Sequence, residues 1–134
     1  MSHSKLEGGC LCGAVRYETN GPVSLETNCH CTICRRASAA PFVAWFTVAT
    51  ADFRFTRGEP KRFRSSSAAE RAFCSTCGTQ LTFQAAENAT EIDITTCSLD
   101  EPERVPPRDH TWVRSQLPWV KLADDLPTHA MKRA

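Results

Sequence analysis

Apolar and polar positions along this chain recur with a period of two over short stretches, and almost nowhere with the helical period. Ala14-Val15-Arg16-Tyr17-Glu18, Asp52-Phe53-Arg54-Phe55 and Glu91-Ile92-Asp93-Ile94-Thr95 alternate in this way. Half-buried strands do so because successive side chains leave opposite faces of a sheet. Phe42-Val43-Ala44-Trp45-Phe46 is a near-continuous apolar run, suited to a strand covered on both faces. Arg71-Ala72-Phe73 and Gln80-Leu81-Thr82-Phe83 read as two further strands joined by a turn. Breakers separate the runs at Gly21-Pro22, Gly58-Glu59-Pro60, Ala86-Glu87-Asn88 and Pro106-Pro107, where φ is restricted or freed. Helix is confined to two short candidates, one after Cys31 and one around Asp100-Glu101-Pro102-Glu103. From Ala123 onward the chain is polar and contains proline, so a loop with frayed ends is expected there. The pattern predicts a mainly β fold with little helix.

A chain of 134 residues is most simply one domain, long enough to bury a core without leaning on metal as a small zinc finger does. Its net charge of +1 excludes no class of partner. The charge is unevenly spread, however. Arg35, Arg36, Arg54, Arg57, Lys61, Arg62, Arg64 and Arg71 crowd the middle, while the stretch from Glu87 to Glu103 carries only acidic charge. A basic middle can draw in an anionic substrate, or can simply be a solvated face. No long basic stripe with interleaved aromatics appears, so nucleic-acid binding is not expected. No stretch approaches the roughly 20 apolar residues of a membrane helix, so neither is membrane insertion. Met1-Ser2-His3-Ser4-Lys5 lacks an apolar signal region. A cytoplasmic, reducing setting, with thiols held by metal and not by disulfides, is therefore expected of the eight cysteines.

Seven of those cysteines form three short clusters: Cys10-Leu11-Cys12, Cys29-His30-Cys31-Thr32-Ile33-Cys34 and Cys74-Ser75-Thr76-Cys77-Gly78. Two cysteines three apart wrap a turn so that both sulfurs meet one ion, and a following glycine supplies the positive φ that turns the chain back. A redox dithiol is the rival for Cys74 and Cys77, but the βαβ pattern that usually accompanies one is missing. Cys10 and Cys12 share a face if the backbone is extended and must borrow two ligands. Cys74 and Cys77 are the obvious lenders, with the middle cluster as a competitor. Cys29, Cys31 and Cys34 can grip one zinc from a single segment. A closed four-thiolate site is structural, whereas three protein ligands suit a zinc that does chemistry. His30 would point away from its neighbours and is expected to pack. Arg35 and Arg36, directly after, can hold an anion or lie solvated. Cys97 is expected to be a buried, inert thiol, with fourth ligand to the middle zinc as the minor alternative. His110 is a minor candidate for general base; Trp112 and Trp119 are expected in core or rim. His3 and His129 carry no signal.

Gly9-Cys10-Leu11-Cys12-Gly13-Ala14-Val15, Cys29-His30-Cys31-Thr32-Ile33-Cys34-Arg35 and Phe73-Cys74-Ser75-Thr76-Cys77-Gly78-Thr79 together resemble the glutathione-dependent formaldehyde-activating enzyme family, also named for its relationship to centromere protein V. The resemblance runs from about Leu6 to Leu126, taking in Ser98-Leu99-Asp100 and Trp119-Val120-Lys121-Leu122-Ala123-Asp124-Asp125-Leu126-Pro127. It leaves residues 127–134 as a polar tail of a single zinc-binding domain over 1–134. It implies a β-tent of curved antiparallel sheets with zinc-binding turns and two zinc ions per chain. Cys10, Cys12, Cys74 and Cys77 match the structural ligands, and Cys29, Cys31 and Cys34 those of the catalytic zinc. The implied reaction is that of a carbon–sulfur lyase on a thiol–aldehyde adduct, glutathione and formaldehyde giving S-hydroxymethylglutathione. The alternative is a non-catalytic zinc domain that binds a protein partner.

Overall fold

The computed structural model describes residues 5–133; Met1–Ser4, with His3 among them, lie outside the described residues. Ten strands and one helix follow in the order β1 (Leu6–Gly9), β2 (Arg16–Thr19), β3 (Ser24–Cys29), α1 (Thr32–Ser38), β4 (Val43–Ala49), β5 (Phe53–Arg57), β6 (Lys61–Ser66), β7 (Ala69–Phe73), β8 (Gln80–Ala85), β9 (Glu91–Thr95) and β10 (His110–Thr111). They make a three-stranded sheet, β1-β2-β5, and a seven-stranded sheet, β10-β3-β4-β9-β8-β7-β6. Every pairing is antiparallel except that of β10 with β3, which is parallel. The sheets are thus antiparallel apart from one two-residue pairing. A long connection from β9 brings β10 back beside β3 running the same way, which a hairpin cannot do.

The alternating runs give the observed strands to within a few residues. The apolar run becomes the central strand β4, covered on both faces as its composition requires. Phe46 and Val48 enter the main core with Ile94 and Leu81, and Tyr17, Val15 and Leu6 meet them from the three-stranded sheet. Phe46, Leu81 and Ile94 are wholly buried, and each such side chain contributes about 1.5–3 kcal/mol. Val43 and Trp45 face the other way, into a second cluster with Cys29 and Cys34. Cys29 and Cys34 thus sit on the packed reverse of the same sheet, whereas Cys10 and Cys74 belong to the main core.

Helix α1 starts at Cys31, whose sulfur accepts from the Cys34 N–H, and stops at Ala39, where the backbone turns left-handed at φ 50°. Around Asp100 the helix candidate shrinks to a single 3₁₀ turn, Pro102–Arg104. Among the described residues no helix is long and apolar enough to cross a membrane.

The tail does not fray. Trp112 N–H donates to Met131 O at 3.0 Å and His129 N–H to His110 O at 2.8 Å. Buried Asp109 takes Arg133 at 2.6 Å and His129 at 3.2 Å. A polar segment reads as loop from its own composition; here a buried carboxylate elsewhere in the chain pins it down.

Candidate metal centres

The first centre is built from two facing turns. After β1, Cys10 N–H donates to Val15 O at 3.0 Å and Gly13 N–H to Cys10 O at 3.2 Å. Cys10 and Cys12 therefore lie on a turn, which corrects the extended-strand reading. The turn brings their sulfurs to 3.6 Å. After β7, Gly78 N–H donates to Cys74 O at 2.8 Å and Cys74 N–H to Thr79 O at 3.0 Å, with Gly78 at φ +83°. Cys12 and Cys74 sulfurs meet at 3.8 Å. The Leu11 N–H donates to Thr79 Oγ1 at 3.1 Å, tying the turns to each other. All four sulfurs lie within 4.8 Å of one another.

The second centre holds three. Cys29 ends β3, Cys31 caps α1 and Cys34 lies in its first turn, all within 4.8 Å; Cys34 and Cys29 sulfurs are 3.4 Å apart. Among the described residues no fourth histidine, cysteine or carboxylate joins them. Cys97 is not buried as expected: it is exposed, because the 3₁₀ turn Thr96–Ser98 points it outward. It reaches neither centre.

None of the eight cysteines is in a disulfide, and the surroundings of the seven clustered ones suit a metal held by thiolates. Zn–S bonds of about 2.3 Å at tetrahedral angles separate sulfurs by about 3.8 Å, close to the contacts above. Thiolates need donors, and backbone N–H groups supply them. Val15 points at Cys10 (3.3 Å), Thr76 and Cys77 at Cys74 (both 3.4 Å), and Cys34 at Cys31 (3.2 Å). The Thr79 hydroxyl and then its N–H pull Cys77 down to about 5. The neighbouring Cys29 and then Cys34 side chains pull Cys31 down to about 2, and Cys31 first, then Cys34, pushes Cys29 far up. The two clusters could each hold a metal ion, four sulfurs at the first and three at the second, donor sets consistent with zinc.

His30 lies between two candidate ligands yet turns from them, as the sequence suggests. It is fully buried, stacks on Phe42 at 4.8 Å between centroids, and its Nε2 meets His110 Nδ1 at 3.0 Å. His110 Nε2 in turn meets Asp124 Oδ2 at 2.9 Å. Burial, then the His110 and Arg35 charges, hold His30 below the usual histidine range. The His110 bond, helped by the Leu126 N–H, holds Asp124 below the usual carboxylate range. His110 thus has a partner at each ring nitrogen. The sequence did not single out Asp124, because one of two adjacent aspartates in a polar stretch gives no spacing signal.

A sequence profile described as glutathione-dependent formaldehyde-activating enzyme matches residues 5–115. A Schizosaccharomyces pombe protein named an uncharacterized lyase is 36% identical over 79 residues, 59% of this chain and 57% of that protein. The alignment thus spans a little over half of that relative's length. A Halomonas elongata protein, whose name proposes it as a glutathione-dependent formaldehyde-activating enzyme, is 28% identical over 126 residues, 87% of this chain and 80% of its own. Among solved structures, the crystal structure of a Rhodobacter sphaeroides protein superposes with a TM-score of 0.58 at 23% identity, covering 91% of this chain and 98% of that one. It shows the fold.

Proposed function

The chain belongs to the glutathione-dependent formaldehyde-activating enzyme family, and from that membership we propose that it is a zinc-dependent carbon–sulfur lyase acting on thiol–aldehyde adducts. Glutathione with formaldehyde is the first substrate pair to try. The observation that carries the reading is the inequality of the two centres: four sulfurs gathered in one, three in the other.

Cys10, Cys12, Cys74 and Cys77 would hold a structural zinc and so clamp the β1–β2 connection to the β7–β8 turn. Cys29, Cys31 and Cys34 would hold the working zinc. Bound there, a zinc would favour the thiolate form of a substrate sulfur, and three thiolate ligands would mute its Lewis acidity through a formal charge of −1. In the forward direction the sulfur lone pair forms a C–S bond to the aldehyde carbon, and the thiol's proton ends on the carbonyl oxygen. The lyase direction breaks that bond and returns the proton to sulfur. The chain's own part is to fix the ligands. Strand β3 anchors Cys29, the cap of α1 aims Cys31, and Trp45, Phe83 and Trp112 pack beside them, excluding water from one side.

The non-catalytic alternative needs a fourth protein ligand at the middle centre. Cys97 faces solvent and His30 is occupied with His110, which favours the enzyme. A reducing cytoplasm, where thiolates stay available to metal, is part of the proposal.

The test is zinc stoichiometry on freshly purified, reduced protein, repeated for Cys31→Ser, alongside the rate of glutathione–formaldehyde exchange. Two zincs falling to one, with exchange abolished in a folded variant, is expected. A single zinc untouched by the substitution would overturn the reading.

A further inference from the structure

Arg71 is a buried cation with no carboxylate paired to it. It is 7% exposed, and among the described residues none of the ion pairs includes it. Arginine is seldom buried so deeply unless paired, and a guanidinium cannot shed its proton to escape the cost. Its Nη1 donates to Gln80 Oε1 at 2.8 Å, and Gln80 is itself tied through its amide to Ser38 at the end of α1. The guanidinium lies 4.9 Å over the Phe83 ring. These contacts fix the side chain without cancelling its charge. The Nε–H is buried with no acceptor, a rare condition for a donor in a folded interior.

The three-sulfur centre has the opposite deficit. Cys29, Cys31 and Cys34 gather their sulfurs within 4.8 Å, and as thiolates around one Zn²⁺ they would leave a formal charge of −1. Phe83, beneath Arg71, packs into the cluster that contains Cys29 and buried Cys34. Trp45, in the same cluster, has a second buried N–H without an acceptor. Unspent donors thus collect where thiolate sulfur would accept them. The charge of Arg71 is felt at Cys34. The Cys29 side chain favours the Cys34 thiolate, the Cys31 side chain and burial oppose it and raise the thiol overall, and the Arg71 charge acts to lower it.

We propose that Arg71 is a positioning residue of the three-sulfur centre, its guanidinium serving as the buried counter-charge to the thiolates and acting at Cys34. The inference rests on the zinc-lyase reading above and adds how the charge of that site is balanced. A cation set beside the ligands stabilises the electrons on sulfur without occupying a coordination position. A centre drawn from −1 towards neutrality keeps more of the Lewis acidity that three thiolates mute. Its ligand sulfurs are also less nucleophilic, which keeps them as ligands where an aldehyde is handled.

A double-mutant cycle on the zinc-loaded protein, read by thermal melting, tests the pairing. Arg71→Gln in the wild-type background should lower the melt by about 5 °C or more, because it strips the thiolates of their counter-charge. In a Cys34→Ala background the same substitution removes a cation that has already lost its partner, and should leave the melt unchanged or raise it. A side chain that served only to pack on Phe83 and bind Gln80 would cost the same in both backgrounds. Arg71→Lys, which keeps the charge, should recover part of the loss. A spectrum gives a reading apart from stability. With cobalt(II) at the three-sulfur centre, the thiolate-to-metal charge-transfer band should move to longer wavelength in Arg71→Gln, since the cation no longer holds the sulfur electrons. Equal melting losses in the two backgrounds, or an unmoved band, overturn the assignment and leave the zinc reading standing. Should Arg71→Gln alone not fold, a double variant melting below Cys34→Ala overturns it as well. Failure of the three sulfurs to take up cobalt would sink both readings, whereas a shifted band in a protein without thiol–aldehyde exchange would sink the lyase reading alone.

Discussion

His30 and His110, eighty positions apart in the chain, share a hydrogen bond of 3.0 Å in the buried interior. Asp124 extends the chain of contacts, its Oδ2 lying 2.9 Å from His110 Nε2. An exposed carboxylate is thereby linked through His110 to a histidine lying between two candidate zinc ligands.

His110→Ala should therefore destabilise the protein well beyond the lost packing. It leaves His30 Nε2 buried without its hydrogen-bond partner, which costs about 1–3 kcal/mol. A thermal melt should fall by roughly 4 °C per kcal/mol. Asp124→Asn, changing an exposed partner, should move the melt less. Equal, small shifts for both would show that the chain of bonds is not maintained in solution.

The two centres should part under chelation and mutation. Cys74, 1% exposed, belongs to the closed set that joins two distant turns. Cys74→Ser should lose one zinc and lower the melt by roughly 10 °C or more, because metal binding at a structural site is folding free energy. Cys31→Ser should lose the other zinc with a small change in the melt. During prolonged exposure to a chelator the three-sulfur site should empty first. Measuring zinc and the melt together over time decides the matter; loss in the reverse order would contradict the assignment of structural and working sites.

Gly78 isolates a backbone effect. Its φ is +83°, and a Cβ built there would meet nothing within 4 Å. Gly78→Ala should thus cost only the left-handed strain of an L residue, about 1–2 kcal/mol, with zinc content unchanged. Asn, which tolerates that region better, should cost less. A larger loss accompanied by loss of zinc would mean that the turn, and not the φ alone, had shifted.

How much of this was legible in the sequence depended on the range of each interaction. Glu91–Thr95 alternates and is a strand to the residue, because period two is set locally. The cysteine clusters declared themselves by spacing, and Gly78 by its place after Cys77. What spacing could not carry was anything decided across the sheet. Cys97 follows a strand and read as buried, yet a 3₁₀ turn puts it outside. Residues 127–133 read as frayed, yet Asp109 holds Arg133. Arg71 looked like one more basic residue in a basic stretch; only the fold buries it beside Phe83 and Gln80.

Asp93 gives a pH-dependent prediction away from both metal centres. It lies in β9 opposite Thr47 of β4 and Phe83 of β8, and accepts from the Thr47 hydroxyl at 2.7 Å. Burial pushes its carboxyl above the usual range, against the pull of that hydroxyl. A group whose proton is held more tightly folded than unfolded adds stability that is fully present below its unfolded value, 3.8, and is lost as pH rises through the folded one. At neutral pH the ionised Asp93 is therefore a cost. Asp93→Asn keeps an oxygen for Thr47 and removes the charge. It should melt higher than the wild type at about pH 7, with the difference closing as pH falls through the carboxyl range. Melting both proteins across that range, and taking the difference, cancels the common effect of acid on the zinc sites. A difference that stays constant with pH would mean that the carboxylate is not destabilised by its burial.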